Sequence, residues 1–254
     1  ILKSPADYFL ILAGDQLYNM NFQSMVSFAQ ATGADLTIAS IPILEKDARR
    51  MGLLKIDAAG KVLEFIEKPQ EEELLQRFEL AEEFFSQWKI TPFKKTCYLG
   101  SMGIYVFRRE ALIALLQQDR RDDFGFHLIA TAVRDWKTYS FIYHGYWEDI
   151  GTVASYFEAN LMLTNAKEGL DTYDENHPIY ARPTYLPGPK IRCTKIVQSI
   201  ICEGSVIEAE EIVHSVIGLR SHIREGTIVR DTVMMGNHLY MPPLHDGKPA
   251  QIEA

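Results

Sequence analysis

From Ile191 onward, aliphatic residues recur every five or six positions, at Ile196, Ile201, Val206, Ile212, Ile217, Ile223, Ile228 and Val233. Small or turn-forming residues lie between them, among them Ser199, Gly204, Ser215, Gly218, Ser221 and Gly226. This near-hexad suits a left-handed parallel β-helix, in which each face of a triangular coil turns one aliphatic side chain inward. A meander of short strands is the alternative that spacing alone leaves open. A solenoid also leaves a stacking surface, so oligomerisation is expected. The terminal MPPLHDGKPAQIEA breaks the repeat, so the solenoid is expected to be short or cut off.

Up to about Asn165 the pattern is different: strand-like and helix-like stretches alternate, the signature of an α/β sheet flanked by helices. Asp7–Ala13 is a continuous apolar run ending at Gly14-Asp15, which predicts a buried strand. Asn21 is placed to cap a helix carrying Phe22, Met25, Val26, Phe28 and Ala29 at helical spacing, with Gly33 closing it. Leu36–Ile43 reads as the next strand. Leu53–Asp57 and Val62–Ile66 flank Ala58-Ala59-Gly60, a hairpin signal. Glu71–Trp88 reads as a helix and Tyr98–Phe107 as a strand whose glycines mark a close approach. Helices are expected at Arg109–Gln118, Phe124–Arg134 and Val153–Asn165, with a strand at Tyr139–Tyr143. Tyr173–Pro189 is rich in proline and aromatic residues without periodicity, as an ordered linker would be. The expected division is a domain over residues 1–168, a linker over 169–190 and the solenoid over 191–254.

Composition narrows the partners. The 254 residues carry a net charge of -8 with no dense Lys/Arg stripe, which argues against nucleic acid. No apolar run approaches the roughly 20 residues that span a bilayer, so no membrane partner is expected. Ile1-Leu2-Lys3 shows neither a signal peptide nor a transit sequence. Cys97, Cys193 and Cys202 form no CxxC pair and are odd in number, which fits a reducing cytoplasm. The histidines lack metal-ligand spacing.

Three motifs place polar groups at the end of an apolar strand, where open α/β sheets bind their ligands. In Gly14-Asp15-Gln16-Leu17-Tyr18, Asp15 follows a strand and a turn; it suits Mg²⁺ held against a nucleotide phosphate, or equally a turn or helix cap. In Glu64-Phe65-Ile66-Glu67-Lys68-Pro69, Glu67 and Lys68 are expected on opposite sides, the lysine meeting a phosphate and the glutamate accepting from sugar hydroxyls. Taken in isolation, a solvated Glu/Lys pair explains them as well. In Gly145-Tyr146-Trp147-Glu148-Asp149-Ile150-Gly151-Thr152, Asp149 could share a metal with Asp15, or serve a helix start that Thr152 caps.

In this order, with SMGIYVF (Ser101–Phe107) and the hexad solenoid, the motifs resemble the glucose-1-phosphate adenylyltransferases (ADP-glucose pyrophosphorylases) over nearly the whole chain. GYWEDIGT followed by Tyr156–Leu161, together with Tyr185–Ile191 and His214–Ser221, is similar to the plant and cyanobacterial branch, and a bacterial source is compatible with it. The resemblance implies a Rossmann-like mixed α/β nucleotide-sugar transferase domain followed by a left-handed parallel β-helix. It implies formation of ADP-glucose and pyrophosphate from ATP and α-glucose 1-phosphate. Asp15 and Asp149 match the family's Mg²⁺ carboxylates, Lys68 its sugar-phosphate lysine and Glu67 its sugar-hydroxyl glutamate, while Gly52 and Ser101 match further glucose 1-phosphate contacts. Asp15, Lys68 and Asp149 are thus the expected catalytic residues. A homotetramer, a small-molecule allosteric effector and a cytoplasmic or plastid location are implied too. The family's Gly-rich loop for the ATP phosphates is absent from this sequence, as are the basic tail residues, so the chain by itself is not expected to turn over. Asp123-Phe124-Gly125 is family-like but Phe126-His127 is not, which leaves Asp123 outside the site. The competing readings are a pyrophosphorylase for another sugar nucleotide, a non-catalytic regulatory subunit and a solenoid scaffold.

Overall fold

The computed structural model describes residues 3–91, 95–118, 128–165 and 169–240. Asp123, the start of the helix expected at Phe124 and the terminal Met241–Ala254 lie outside the described residues. The chain forms two compact units, Ile1–Gly14 with Met20–Gly145, and Asp15–Asn19 with Tyr146–Ala254. Compactness therefore divides the chain elsewhere than at residue 168, because the helix that follows Thr152 packs on solenoid strands.

The strands before the solenoid are β1 (Tyr8–Leu12), β2 (Gln16–Tyr18), β3 (Leu36–Leu44), β4 (Gly52–Ile56), β5 (Val62–Glu67), β6 (Cys97–Arg108), β7 (Thr138–Ile142) and β8 (Trp147–Asp149). All but β2 and β8 build the mixed sheet of the first unit, in the order β5-β4-β6-β3-β7, with β1 beside the second half of β6. β3 and β7 run parallel, and the other pairings in this sheet are antiparallel. The expected β4–β5 hairpin forms because Asp57 Oδ1 accepts from Ala59 N at 2.8 Å and Lys61 N at 2.9 Å, holding the turn. Helix α1 (Phe22–Thr32) starts where Asn21 accepts from Ser24 N and stops at Gly33, whose φ of 59° is left-handed. Its Phe28 meets the rings of Tyr139 and Phe141 edge-on, against one face of the sheet. The short α2 (Glu45–Ala48) follows β3, and α5 (Arg109–Gln118) and α6 (Ala130–Asp135) follow later in the chain. On the other face Leu112 and Leu115 of α5 and Ala132 of α6 pack on Leu36, Ile38, Leu54 and Phe107. Burying each such aliphatic or aromatic side chain contributes about 1.5–3 kcal/mol.

Two expectations for this unit need correction. β1 was predicted to be buried, yet Leu10 is 38% and Leu12 44% exposed. Its one strand partner among the described residues is β6, so it lies at the edge of the sheet. The helix expected over Glu71–Trp88 is two short ones, α3 (Glu72–Arg77) and α4 (Glu82–Gln87). Between them Glu79 bridges Tyr98, Leu80 N donates to Cys97 O at 2.9 Å, and Leu80 packs on the core. Tertiary pairing there overrides helical propensity.

In the second unit, β2 pairs with β8, and α7 (Val153–Met162) packs on the solenoid strands β13 (Glu211–Ile217) and β15 (Ile228–Met234). The other solenoid strands are β9 (Lys190–Ile191), β10 (Lys195–Val197), β11 (Ile200–Ile201), β12 (Val206–Ile207) and β14 (His222–Ile223). Every ladder is parallel and steps one coil at a time: Ile196 beside Ile212 beside Val229, Ile191 beside Ile207 beside Ile223, Ile201 beside Ile217 beside Met234. That is a parallel β-helix, not a meander. Gln198, His214 and Asp231, each just past a strand-register match, share φ near 44°, 45° and 43°, so the chain turns one corner the same way in each coil. The expected inward set shifts by one residue at three places, one of them Met234 for Val233, since Met234 stacks beside buried Ile217 and packs on the solenoid core. Ile207 and Val229 are buried where Val206 and Ile228 were expected, and Ile228 is 51% exposed. In an aliphatic doublet the pleat sends only one side chain inward, and spacing does not say which.

The serines between the aliphatic positions join the coils. Ser215 is fully buried, its Oγ donates to Val213 O at 2.7 Å and accepts from Thr232 N at 3.2 Å, and its own N donates to Ser199 Oγ at 3.1 Å. Ser215→Ala leaves the Thr232 N–H without that acceptor inside the coil stack. It is expected to lower stability by about 1–3 kcal/mol, seen as a drop in urea midpoint at constant slope.

Candidate active site

Asp15 and Asp149 are brought together by the three-pair antiparallel ladder of β2 with β8. Gln16 pairs with Asp149, Leu17 with Glu148 and Tyr18 with Trp147. Ile150 N adds a hydrogen bond to Asp15 O at 3.0 Å, and Trp147 Nε1 donates to Gln16 Oε1 at 3.2 Å, pinning the two strands by side chain as well as backbone. The chain then turns: Gly151 N donates to Asp149 Oδ1 at 2.9 Å, and Thr152 caps α7 by accepting from Ser155 N at 3.1 Å. Thr152 caps the helix as expected, and Asp149 accepts from Gly151 N in the turn just before it. A β-carbon added at Gly151 would stand 3.0 Å from both Asp149 Oδ1 and Asp15 Oδ2. Those oxygens are therefore no farther apart than twice that distance, about 6 Å. The Asp15 carboxylate is exposed and has no hydrogen-bond or ion-pair partner among the described residues. Beside the pair, burial and then the charge of Glu148 push the Tyr146 phenol up to about 12, so it stays neutral.

The other expected residues meet in the first unit. Gly52 is opposite Glu67 across β4 and β5, and Ser40 is opposite Ser101 across β3 and β6. Leu53 pairs with Gly100, and one further step of that antiparallel register sets Gly52 beside Ser101. Glu67, Gly52, Ser101 and Ser40 thus form one row across four strands and share a face. A β-carbon on Gly52 would come within 2.7 Å of Glu67 Oε2 and 2.6 Å of Phe65, so the glycine makes room for the glutamate. Lys68 differs from the expectation that it points away from Glu67. Its Nζ lies 3.7 Å from Glu67 Oε1, because a left-handed φ of 48° breaks strand alternation just before Pro69. Lys68 N still donates to Met51 O at 3.1 Å, which fixes the turn. A non-glycine residue held in that region costs about 1 kcal/mol or more, and such strain gathers at functional sites.

Residues 1–166 match the family model for nucleotidyl transferases, and residues 184–251 match that for the GLGC left-handed parallel β-helix domain. The chain is a nucleotidyl transferase. The handedness of the solenoid agrees with the expectation, and the pairing of the two domains is that of a sugar-nucleotide pyrophosphorylase. In such a transferase the carboxylate pair is the natural place for a divalent cation. Magnesium is usually held by one or two carboxylates, with substrate phosphates and water completing six oxygens. Asp15 and Asp149 fit that need, and no cluster of three or more His, Cys, Asp or Glu suited to a metal exists among the described residues. No helix among them is long and apolar enough to cross a membrane.

Sequence reading missed Ser40 in the first unit, and Gln16 and Gly151 in the second. Gln16 locks Trp147, Ser40 extends the row from Ser101, and Gly151 leaves space between the carboxylates. Gln16 and Gly151 both sit inside motifs already singled out, but β2 and β8 are three residues each and too short to show a period.

Proposed function

We propose that this nucleotidyl transferase makes ADP-glucose and pyrophosphate from ATP and α-glucose 1-phosphate, the donor-forming step of glycogen or starch synthesis. The observation that carries the reading is the convergence of Asp15 and Asp149, far apart in sequence, at one turn. The choice of adenine and glucose is supported by the motif order and by the GLGC type of the β-helix.

An oxygen of the glucose 1-phosphate phosphate attacks the α-phosphorus of ATP in line. A new P–O bond forms, the bond to the β-phosphate bridging oxygen breaks, and pyrophosphate leaves with that electron pair. No proton transfer to a side chain and no covalent enzyme intermediate is required. Charge repulsion between two polyanions and lost orientation make up the barrier. Lys68 holds the attacking phosphate as a point charge, and Glu67 accepts from sugar hydroxyls over the space that Gly52 leaves open. Ser101 donates from the same row. Pre-orientation of this kind lowers a barrier by several kcal/mol. Asp15 and Asp149 would hold Mg²⁺, which would neutralise charge developing on phosphate oxygens. A homotetramer with a small-molecule effector, working in cytoplasm or plastid, completes the proposal.

The test is pyrophosphate release by the chain joined to a Gly-rich nucleotide loop, with glucose 1-phosphate and ATP, UTP, dTTP or GTP in turn. ATP is expected to be preferred. Lys68→Ala should raise the KM for glucose 1-phosphate about ten- to hundredfold, the value of one charge-assisted contact of roughly 1.5–3 kcal/mol. Preference for another nucleotide would move the assignment to a different pyrophosphorylase. A purely regulatory subunit has no need of Asp15, Lys68 and Asp149 together, and their presence supports the catalytic reading over it.

A further inference from the structure

We infer that Gly151 is a positioning residue, whose lack of a side chain sets the gap between the Asp15 and Asp149 carboxylates. The inference rests on reading those two carboxylates as ligands of one cation. Gly151 has no backbone need to be glycine, since its φ lies outside the left-handed region. The requirement is space. The nearest atoms to an added β-carbon are Asp149 Oδ1 and Asp15 Oδ2 at 3.0 Å each, then Asp15 Cγ at 3.8 Å. All three of these nearest atoms belong to the carboxylates, and a methyl group 3.0 Å from both oxygens is closer than ordinary van der Waals contact.

The same residue also orients one of the two ligands. Its N–H donates to Asp149 Oδ1 at 2.9 Å, so backbone and missing side chain act on the same carboxylate. An alanine would keep that N–H and fill the gap. Because the crowded atoms are ends of rotatable side chains, the carboxylates would swing aside while β8 and α7 keep their fold. Groups that orient metal ligands from outside commonly change metal affinity 10–100-fold when altered.

The experiment is a Mn²⁺ titration of the full chain, with free Mn²⁺ followed by its electron paramagnetic resonance signal and folding by thermal melting. Four proteins are compared: the parent, Gly151→Ala, Asp149→Asn and Gly188→Ala, the last a glycine with nothing within 4 Å of an added β-carbon. Gly151→Ala is expected to bind Mn²⁺ at least about tenfold more weakly, with the parent's melting temperature, and Gly188→Ala to bind as the parent does. If Gly151→Ala binds like the parent while Asp149→Asn does not, the positioning role is wrong and the ion site stands. If Asp149→Asn also binds like the parent, the shared-ligand reading itself fails. A Gly151→Ala chain that does not fold overturns the inference as well, since rotation of the two carboxylates must absorb the methyl group.

Discussion

Asp149→Asn is expected to slow nucleotidyl transfer about 10²–10³-fold, the range lost when one electrostatic contributor to a transition state is removed. The substitution is nearly isosteric. An asparagine oxygen can still accept from Gly151 N, which Asp149 Oδ1 does at 2.9 Å, so the turn into α7 keeps its hydrogen bond. The register of β2 with β8 is made by backbone and by Trp147 with Gln16, neither of which depends on the charge. What disappears is one negative charge of the two facing the gap at Gly151. Two carboxylate oxygens no more than about 6 Å apart repel by at least about 0.7 kcal/mol even in water. Removing one therefore leaves the apo fold unharmed or slightly more stable. The expected signature is unchanged melting with kcat down and a higher Mg²⁺ requirement. With both chains joined to the Gly-rich nucleotide loop, pyrophosphate release by the variant within threefold of the parent would remove Asp149 from the mechanism.

The fold was legible in the sequence where a period or a cap was long enough to read. Asn21 and Gly33 bracket α1 as expected, Ala58–Gly60 turns the β4–β5 hairpin, and the hexad is a solenoid. The site was legible residue by residue but not as geometry. Gly52, Glu67 and Ser101 fall in one row only because two strand registers align, and a register is invisible until its partner strand is known. Lys68 was misdirected for a local reason: its left-handed φ of 48° cancels the alternation that sequence reading assumes through a strand end. At Val206-Ile207 and Ile228-Val229 both neighbours are aliphatic, so composition could not choose the inward one. β1 shows the same limit, since an apolar run reports hydrophobicity and not how many neighbours the strand finds.

Ile212→Ala is expected to cost about 2–5 kcal/mol, the usual range for emptying a fully buried aliphatic site. Ile212 is 0% exposed and stands in the middle coil, with Ile196 stacked on one side and Val229 on the other. Its neighbours are held by parallel ladders and by the Ser199–Ser215–Thr232 hydrogen bonds, so they cannot collapse into the space left by the lost carbons. In a solenoid each coil touches only the next, and stability is close to a sum of nearest-neighbour contacts. A gap in the middle coil therefore weakens two interfaces at once. Ile196→Ala provides the comparison, because Ile196 is 36% exposed and stacks on Ile212 from one side only. It should cost roughly half as much or less by the area it buries. Urea unfolding followed by far-ultraviolet circular dichroism reads both. Equal losses for the two variants would mean that Ile212 is no more interior than Ile196. The inward set Ile207, Ile212, Ile217, Ile223 and Val229, drawn from three ladders, would then no longer describe the core of the β-helix.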